Sequence, residues 1–258
     1  MNDIKHLINY TRTFLFFTVA AAVLLISAAS AFANDEEEFI KAAFAGKPET
    51  IKQLLEKGIN VNYQNDKGFS ALIIASQYGH ADIVNLLLEN QADVGLQNAG
   101  GATALIIAAK NGYTEVVNAL LNKGAKVDAQ TTDGITALML ATQKGHESIV
   151  DALLAKGADV NLQTKEKLTA LMLAALDGRE SIANKLLARN AQIAVQASDN
   201  TTALYMAARN GHTAIVETLL AKNAPVDLIA ANDTTPLYIA SQNGHTDVVN
   251  ALLKKGAK

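Results

Sequence analysis

The stretch TALMLATQKGHESIVDALLAKGADVN, residues Thr136 to Asn161, decides the fold. Its opening, Thr136-Ala137-Leu138, returns as Ser70-Ala71-Leu72, Thr103-Ala104-Leu105, Thr169-Ala170-Leu171, Thr202-Ala203-Leu204 and Thr235-Pro236-Leu237, each 33 residues after the last. Its glycine, Gly145, returns in phase at Gly46, Gly79, Gly112, Gly178, Gly211 and Gly244. Its leucine pair, Leu153-Leu154, returns at 54–55, 87–88, 120–121, 186–187, 219–220 and 252–253. A strict period without insertion predicts a stack of like units, each burying its apolar side against the next.

Within one unit the residues spell out two helices. Thr136 is a good N-cap, because its hydroxyl accepts from a free amide of the first turn. Ala137 to Lys144 reads as a short helix with apolar residues at 138, 140 and 141, and Gly145 ends it by taking a left-handed backbone. His146-Glu147-Ser148 opens a second helix, and Ile149, Val150, Leu153 and Leu154 share one face of it. Gly157 closes it, matched by Gly58, Gln91, Gly124, Asn190, Asn223 and Gly256; of these residues only Gln91 is not a type that tolerates the conformation. Val160 plugs the following loop, as do Val61, Val94, Val127, Ile193 and Val226, and Asp133-Gly134 makes a tight turn.

This plan resembles the ankyrin repeat: turn, helix, turn, helix, extended loop. The family pattern T-P-L-H-x-A stands here as Thr235-Pro236-Leu237-Tyr238-Ile239-Ala240, and G-H-x-x-I-V-x-x-L-L as Gly145 to Leu154. The resemblance covers residues 35–258 and implies an all-α repeat solenoid of seven stacked units, near 35–67, 68–100, 101–133, 134–166, 167–199, 200–232 and 233–258. Two departures matter. The family histidine after T-P-L is replaced by Ile73, Ile106, Met139, Met172, Tyr205 and Tyr238, so the turn tips are expected to lose that hydrogen bonding and to rely on packing. The turn glycine drifts from Gly68, Gly101 and Gly134 to Lys167, Asn200 and Asp233, and a different turn is expected at Lys167.

Residues 1–33 read as an export signal. Lys5 and Arg12 make a positive start, Phe14 to Ile26 is apolar but for Thr18, and Ala31-Phe32-Ala33 is a cleavage pattern. The alternative is an uncleaved anchor over residues 14–33. Either way residues 34–258 form an exported repeat domain, and the cysteine-free composition fits a bacterial periplasm. Asn200-Thr201-Thr202 and Asn232-Asp233-Thr234 match a glycan acceptor pattern that would be inert there.

The chemistry read from the sequence is non-catalytic. Without cysteine there are no disulfides, thiolate metal sites or thiol nucleophiles, and a net charge of -3 disfavours nucleic acid. His80, His146, His212 and His245 recur in phase, yet Tyr113 and Arg179 hold that position in other copies, which a metal-ligand set would not accept. No phosphate-cradling loop or nucleophile motif occurs, so no cofactor, metal or small-molecule substrate is expected. The acidic run Asp35 to Glu38 and the basic Lys254, Lys255 and Lys258 suit simple capping of the two ends, with docking tags as the alternative. The outer face of the final copy, including Val248 and Val249, is expected to be incompletely covered.

What remains is binding. In ankyrin proteins the concave face, made of turn tips and first helices, meets a protein partner, and the resemblance implies the same here. Positions that vary between copies against fixed neighbours are free of packing duty. They are Gln77-Tyr78, Lys110-Asn111, Gln143-Lys144, Leu176-Asp177, Arg209-Asn210 and Gln242-Asn243 at the first-helix ends, and Phe69, Ile135, Leu168, Lys165 and Glu166 at the turns. Phe69, Tyr78, Tyr205 and Tyr238 are the expected anchors, although Tyr205 and Tyr238 would also suit packing between neighbouring turns. The competing reading is a structural or protective module of an envelope assembly without a discrete site, and a secreted host-directed effector is a variant of the first.

Overall fold

The computed structural model describes residues 35–258, so the signal or anchor expected over residues 1–33 lies outside the described residues. Fourteen helices follow one another there, and no strand lies among them beyond two isolated bridges, Gln64 to Ser70 and Gln97 to Thr103. They run α1 Asp35–Ala45, α2 Pro48–Glu56, α3 Ala71–Tyr78, α4 Ala81–Glu89, α5 Ala104–Asn111, α6 Thr114–Asn122, α7 Ala137–Lys144 and α8 Glu147–Ala155. Then come α9 Ala170–Leu176, α10 Glu180–Ala188, α11 Ala203–Asn210, α12 Thr213–Ala221, α13 Pro236–Gln242 and α14 Thr246–Lys254. Each odd helix packs on the even helix after it, and each pair packs on the next pair. No helix among the described residues is long and apolar enough to cross a membrane.

Local chemistry sets the ends of these short helices. The hydroxyls of Ser70, Thr103, Thr136, Thr169, Thr202 and Thr235 each accept from the amide three residues on, at 3.2–3.3 Å. A helix of eight residues is marginal alone, so its stability comes from the face it buries. That face is the leucine pair with its Ile-Val partners: Ile149, Val150 and Leu153 are fully buried, and Leu154 nearly so. Val160 is buried as a loop plug, whereas Val61, Val94, Val127, Ile193 and Val226 are only half-buried.

The turn tips correct two expectations. Lys167 adopts φ +60° and closes the same turn as its glycine counterparts: its amide donates to Thr164 O at 2.8 Å, as Gly134 does to Thr131 O at 2.9 Å. The strained backbone is imposed by the neighbouring tips, which outweigh a cost of roughly 1–2 kcal/mol. Nor are the tips held by packing alone. A backbone bond joins each tip to the next, from Ala99 N to Lys67 O, Thr132 N to Gly100 O, Lys165 N to Asp133 O, Ser198 N to Glu166 O and Ala231 N to Asp199 O, at 2.8–3.0 Å. Gln64, Gln97 and Gln130 reinforce this ladder, each donating its side-chain amide to the carbonyl 33 residues on.

The extended loops carry a second set of ties. Side-chain oxygens of Asn62, Asp128, Asn161 and Asp227 accept from the amides of Asp93, Asp159, Gln192 and Lys258, at 2.8–3.2 Å. The series breaks where Gly95 and Ala194 stand in the acceptor position. The amide that Ala194 would have met belongs to Pro225, which has none, so acceptor and donor are lost together. An open cleft of about 580 Å³ lies at Ala194 and Pro225, and another of about 330 Å³ at Gly95 and Lys126.

At the final pair the expectation holds for one valine and fails for the other. Val249 is only partly covered, whereas Val248 is fully buried because the preceding pair covers it; Tyr238 and Leu253 are half-exposed as well.

Candidate partner-binding face

The two columns of variable side chains come off the C-terminal ends of α3, α5, α7, α9, α11 and α13. Asn111, Lys144, Asp177, Asn210, Gln242 and Asn243 are exposed there, and Gln77, Tyr78, Lys110, Gln143 and Arg209 are half-buried. The helices place them by stopping on time. In α3, α5, α7 and α11 a left-handed glycine ends the helix one residue past the column.

Several column residues are held by neighbours. Asn111 Nδ2 donates to Gln77 O at 3.0 Å and Asn243 Nδ2 to Arg209 O at 2.8 Å, so each amide ties its column to the previous pair. Asn210 Nδ2 bonds back to Met206 O, and Gln242 Nε2 donates to the Tyr238 hydroxyl at 2.7 Å. Tyr78 meets Phe44 edge-on at 4.7 Å, and burial pushes its phenol above the ordinary tyrosine value. Burial, and then the Lys144 ammonium, hold Lys110 below the ordinary lysine value. Lys110 and Lys144 thus concentrate positive charge within one stretch of the columns.

Phe69 does not belong to this face. It is 3 % exposed and sits in the apolar core, because the turn folds the ring inward beneath the tip. Ile135 and Leu168, in the same turn position, are buried with it. These residues vary between copies because the core admits several apolar shapes there, not because solvent or a partner meets them. Tyr205 is also buried, its hydroxyl 2.8 Å from Thr234 Oγ1 in the next turn; it packs between neighbours and is no anchor. Lys165 and Glu166 remain at the tips, where Lys165 pairs with Asp133 at 3.4 Å.

The in-phase histidines work between neighbours. Nε2 of His80, His146, His212 and His245 lies 3.0–3.2 Å from the carbonyls of Phe44, Lys110, Leu176 and Arg209, each 36 residues earlier. A carbonyl only accepts, so Nε2 carries the proton and donates. The ring reaches that carbonyl by lying against the previous pair's glycine, where a Cβ on Gly112 would stand 2.7 Å from His146 Cε1. Tyr113 and Arg179 fill the same space against Gly79 and Gly145. These bonds were hidden in the sequence because their acceptors are backbone atoms; the only trace was the fixed distance between the histidine and the earlier glycine. Among the described residues no group of three His, Asp or Glu side chains converges as a metal site.

A family model described as Ankyrin repeats (3 copies) matches residues 39–131, 105–197 and 171–258. Among curated proteins none matches the chain.

Proposed function

The chain belongs to the ankyrin-repeat family, and from that premise we propose that it is a seven-repeat scaffold binding one protein partner through the columns at its first-helix ends. Ankyrin repeats are generally protein–protein interaction modules, and the family is typically non-catalytic. One observation carries the choice of face. The column residues reach solvent, fully or in part, and differ from copy to copy, while the N-caps from Ser70 to Thr202 and the leucine pairs from 87–88 to 219–220 repeat and are buried. Lys110, Gln143, Lys144, Asp177, Arg209 and Asn210 form its middle, with Gln77, Tyr78, Asn111, Gln242 and Asn243 towards the ends. Removing Phe69 from the set, for the reason above, leaves a face dominated by amides and charges and marked by one half-open aromatic, Tyr78.

The reading extends to location. The export signature of residues 1–33 supports a scaffold working in the periplasm, or anchored at its membrane through residues 14–33. The test is affinity capture from the periplasmic fraction with the tagged chain. A stoichiometric partner retained by wild type and lost on Lys110→Glu with Lys144→Glu, at unchanged helicity, is expected. A partner that survives that double substitution overturns the assignment of the face. Absence of any stoichiometric partner favours the structural module.

A further inference from the structure

The junctions between helix pairs are not alike, and one is set apart by a combination of three features. It lies between α7–α8 and α9–α10. First, it has no histidine bond, a lack it shares with the junction at Tyr113: Arg179 stands where His146 and His212 stand at the junctions on either side. Second, it is crossed by charge. Lys185 Nζ on α10 reaches Glu147 Oε2 at 3.1 Å and Asp151 Oδ2 at 2.9 Å on α8, and Lys165 pairs with Asp133 between the tips. Ser181 Oγ adds a bond to Glu147 Oε2 at 2.8 Å, and Arg189 Nη1 donates to Leu154 O at 2.7 Å. Third, its tip is the first of three without glycine, with Lys167 at φ +60° as Asn200 is at +60° and Asp233 at +59°.

Elsewhere the ties across second helices are neutral or few, such as Lys156 Nζ to Asn122 Oδ1 at 3.2 Å. Two further ion pairs, Lys41–Glu37 and Lys57–Asp35, lie inside the first helix pair and join nothing across a junction. A hydrogen bond from a stapling ring sits half-buried and is screened little by salt, whereas exposed ion pairs are screened strongly.

We propose that this junction is an ionic joint, a salt-sensitive boundary at which the array opens into two blocks, residues 35–163 and 164–258, before either block unfolds. In a repeat array each unit touches only its neighbours, so the stack parts at a junction whose ties are lost. At low ionic strength the lysine between two carboxylates closes the joint; as salt rises the attraction is screened and no ring bond remains to hold it. The inference is independent of what the columns bind.

The chain has no cysteine, which makes single thiol reporters clean. The position of Ile182 faces the preceding pair: its counterparts are buried in every pair that has a predecessor, while Thr50 in the first pair is half-exposed. Ile182→Cys reports on the joint, and Ile149→Cys on the neighbouring junction, which keeps the His146 staple. Thiol labelling of the full chain is followed from about 0.01 M to about 1 M NaCl, which shortens the screening length from about 30 Å to about 3 Å. Labelling at position 182 is expected to accelerate about fivefold more than at position 149, the combined effect of three exposed pairs. Adding Lys185→Met should raise the low-salt rate at 182 and remove most of its salt response, and Arg179→His should slow labelling there at both salt levels. An equal salt response at the two reporters, or a rate at 182 indifferent to Lys185→Met, overturns the proposal.

Discussion

Gly112→Ala isolates what the contact between repeats is worth. Gly112 has φ +84°, and so nearly does Gly124 at +82°. An L-residue pays roughly 1–2 kcal/mol for that backbone at either site. The surroundings differ. A Cβ on Gly124 meets nothing within 4 Å, whereas a Cβ on Gly112 would stand 2.7 Å from His146 Cε1 and displace the ring. Displacement breaks the 3.2 Å bond from His146 Nε2 to Lys110 O, worth about 0.5–1.5 kcal/mol. Gly112→Ala should therefore cost about 1 kcal/mol more than Gly124→Ala. Urea unfolding followed by helical circular dichroism measures both, and His146→Ala completes a double-mutant cycle. In the His146→Ala background the two glycine substitutions should cost the same, since only the backbone part is left. Equal costs in the wild-type background, or strict additivity of Gly112→Ala with His146→Ala, would refute the stapling account.

Three further outcomes are expected. Leu153→Ala empties a fully buried site and should cost about 2–5 kcal/mol, while Leu253→Ala, at a residue 52 % exposed, should shift the urea midpoint far less. Thr136→Ala removes the acceptor that Met139 N uses at 3.2 Å and should cost about 1 kcal/mol, with Thr136→Ser recovering most of it. The Ser181 hydroxyl, then Lys185, hold the Glu147 carboxyl below its ordinary 4.5. A depressed folded value means that this stability is present above pH 4.5 and drains away as pH falls through the lower folded value. Acid titration of unfolding should show Glu147→Gln flattening the pH dependence below 4.5, while its effect on stability is greatest at neutral pH.

How much of this was legible in the chain depends on how far each determinant reaches. N-caps, glycine stops and the leucine face are short-range, and Thr136, Gly145 and Leu153 were read correctly because their partners lie within four residues or in an identical neighbouring unit. The columns at 77–78 through 242–243 were picked out by variation against a fixed period; their members reach solvent fully or in part, though Tyr78 also packs on Phe44. Phe69 was misread because variation at a turn position looks the same whether the side chain faces solvent or tolerant core.

The sequence alone therefore determined the period, the helix limits and the family, because all of these repeat every 33 residues and need only neighbours in the chain. Tertiary structure alone decided which way Phe69 and Tyr205 turn, that Lys167 adopts a glycine's backbone, that the histidine rings bond carbonyls 36 residues away, and that charge gathers at one junction. The physical reason is common to all four. Each outcome is set by the unit stacked alongside, whose backbone atoms and approach distance leave no mark on residue identity.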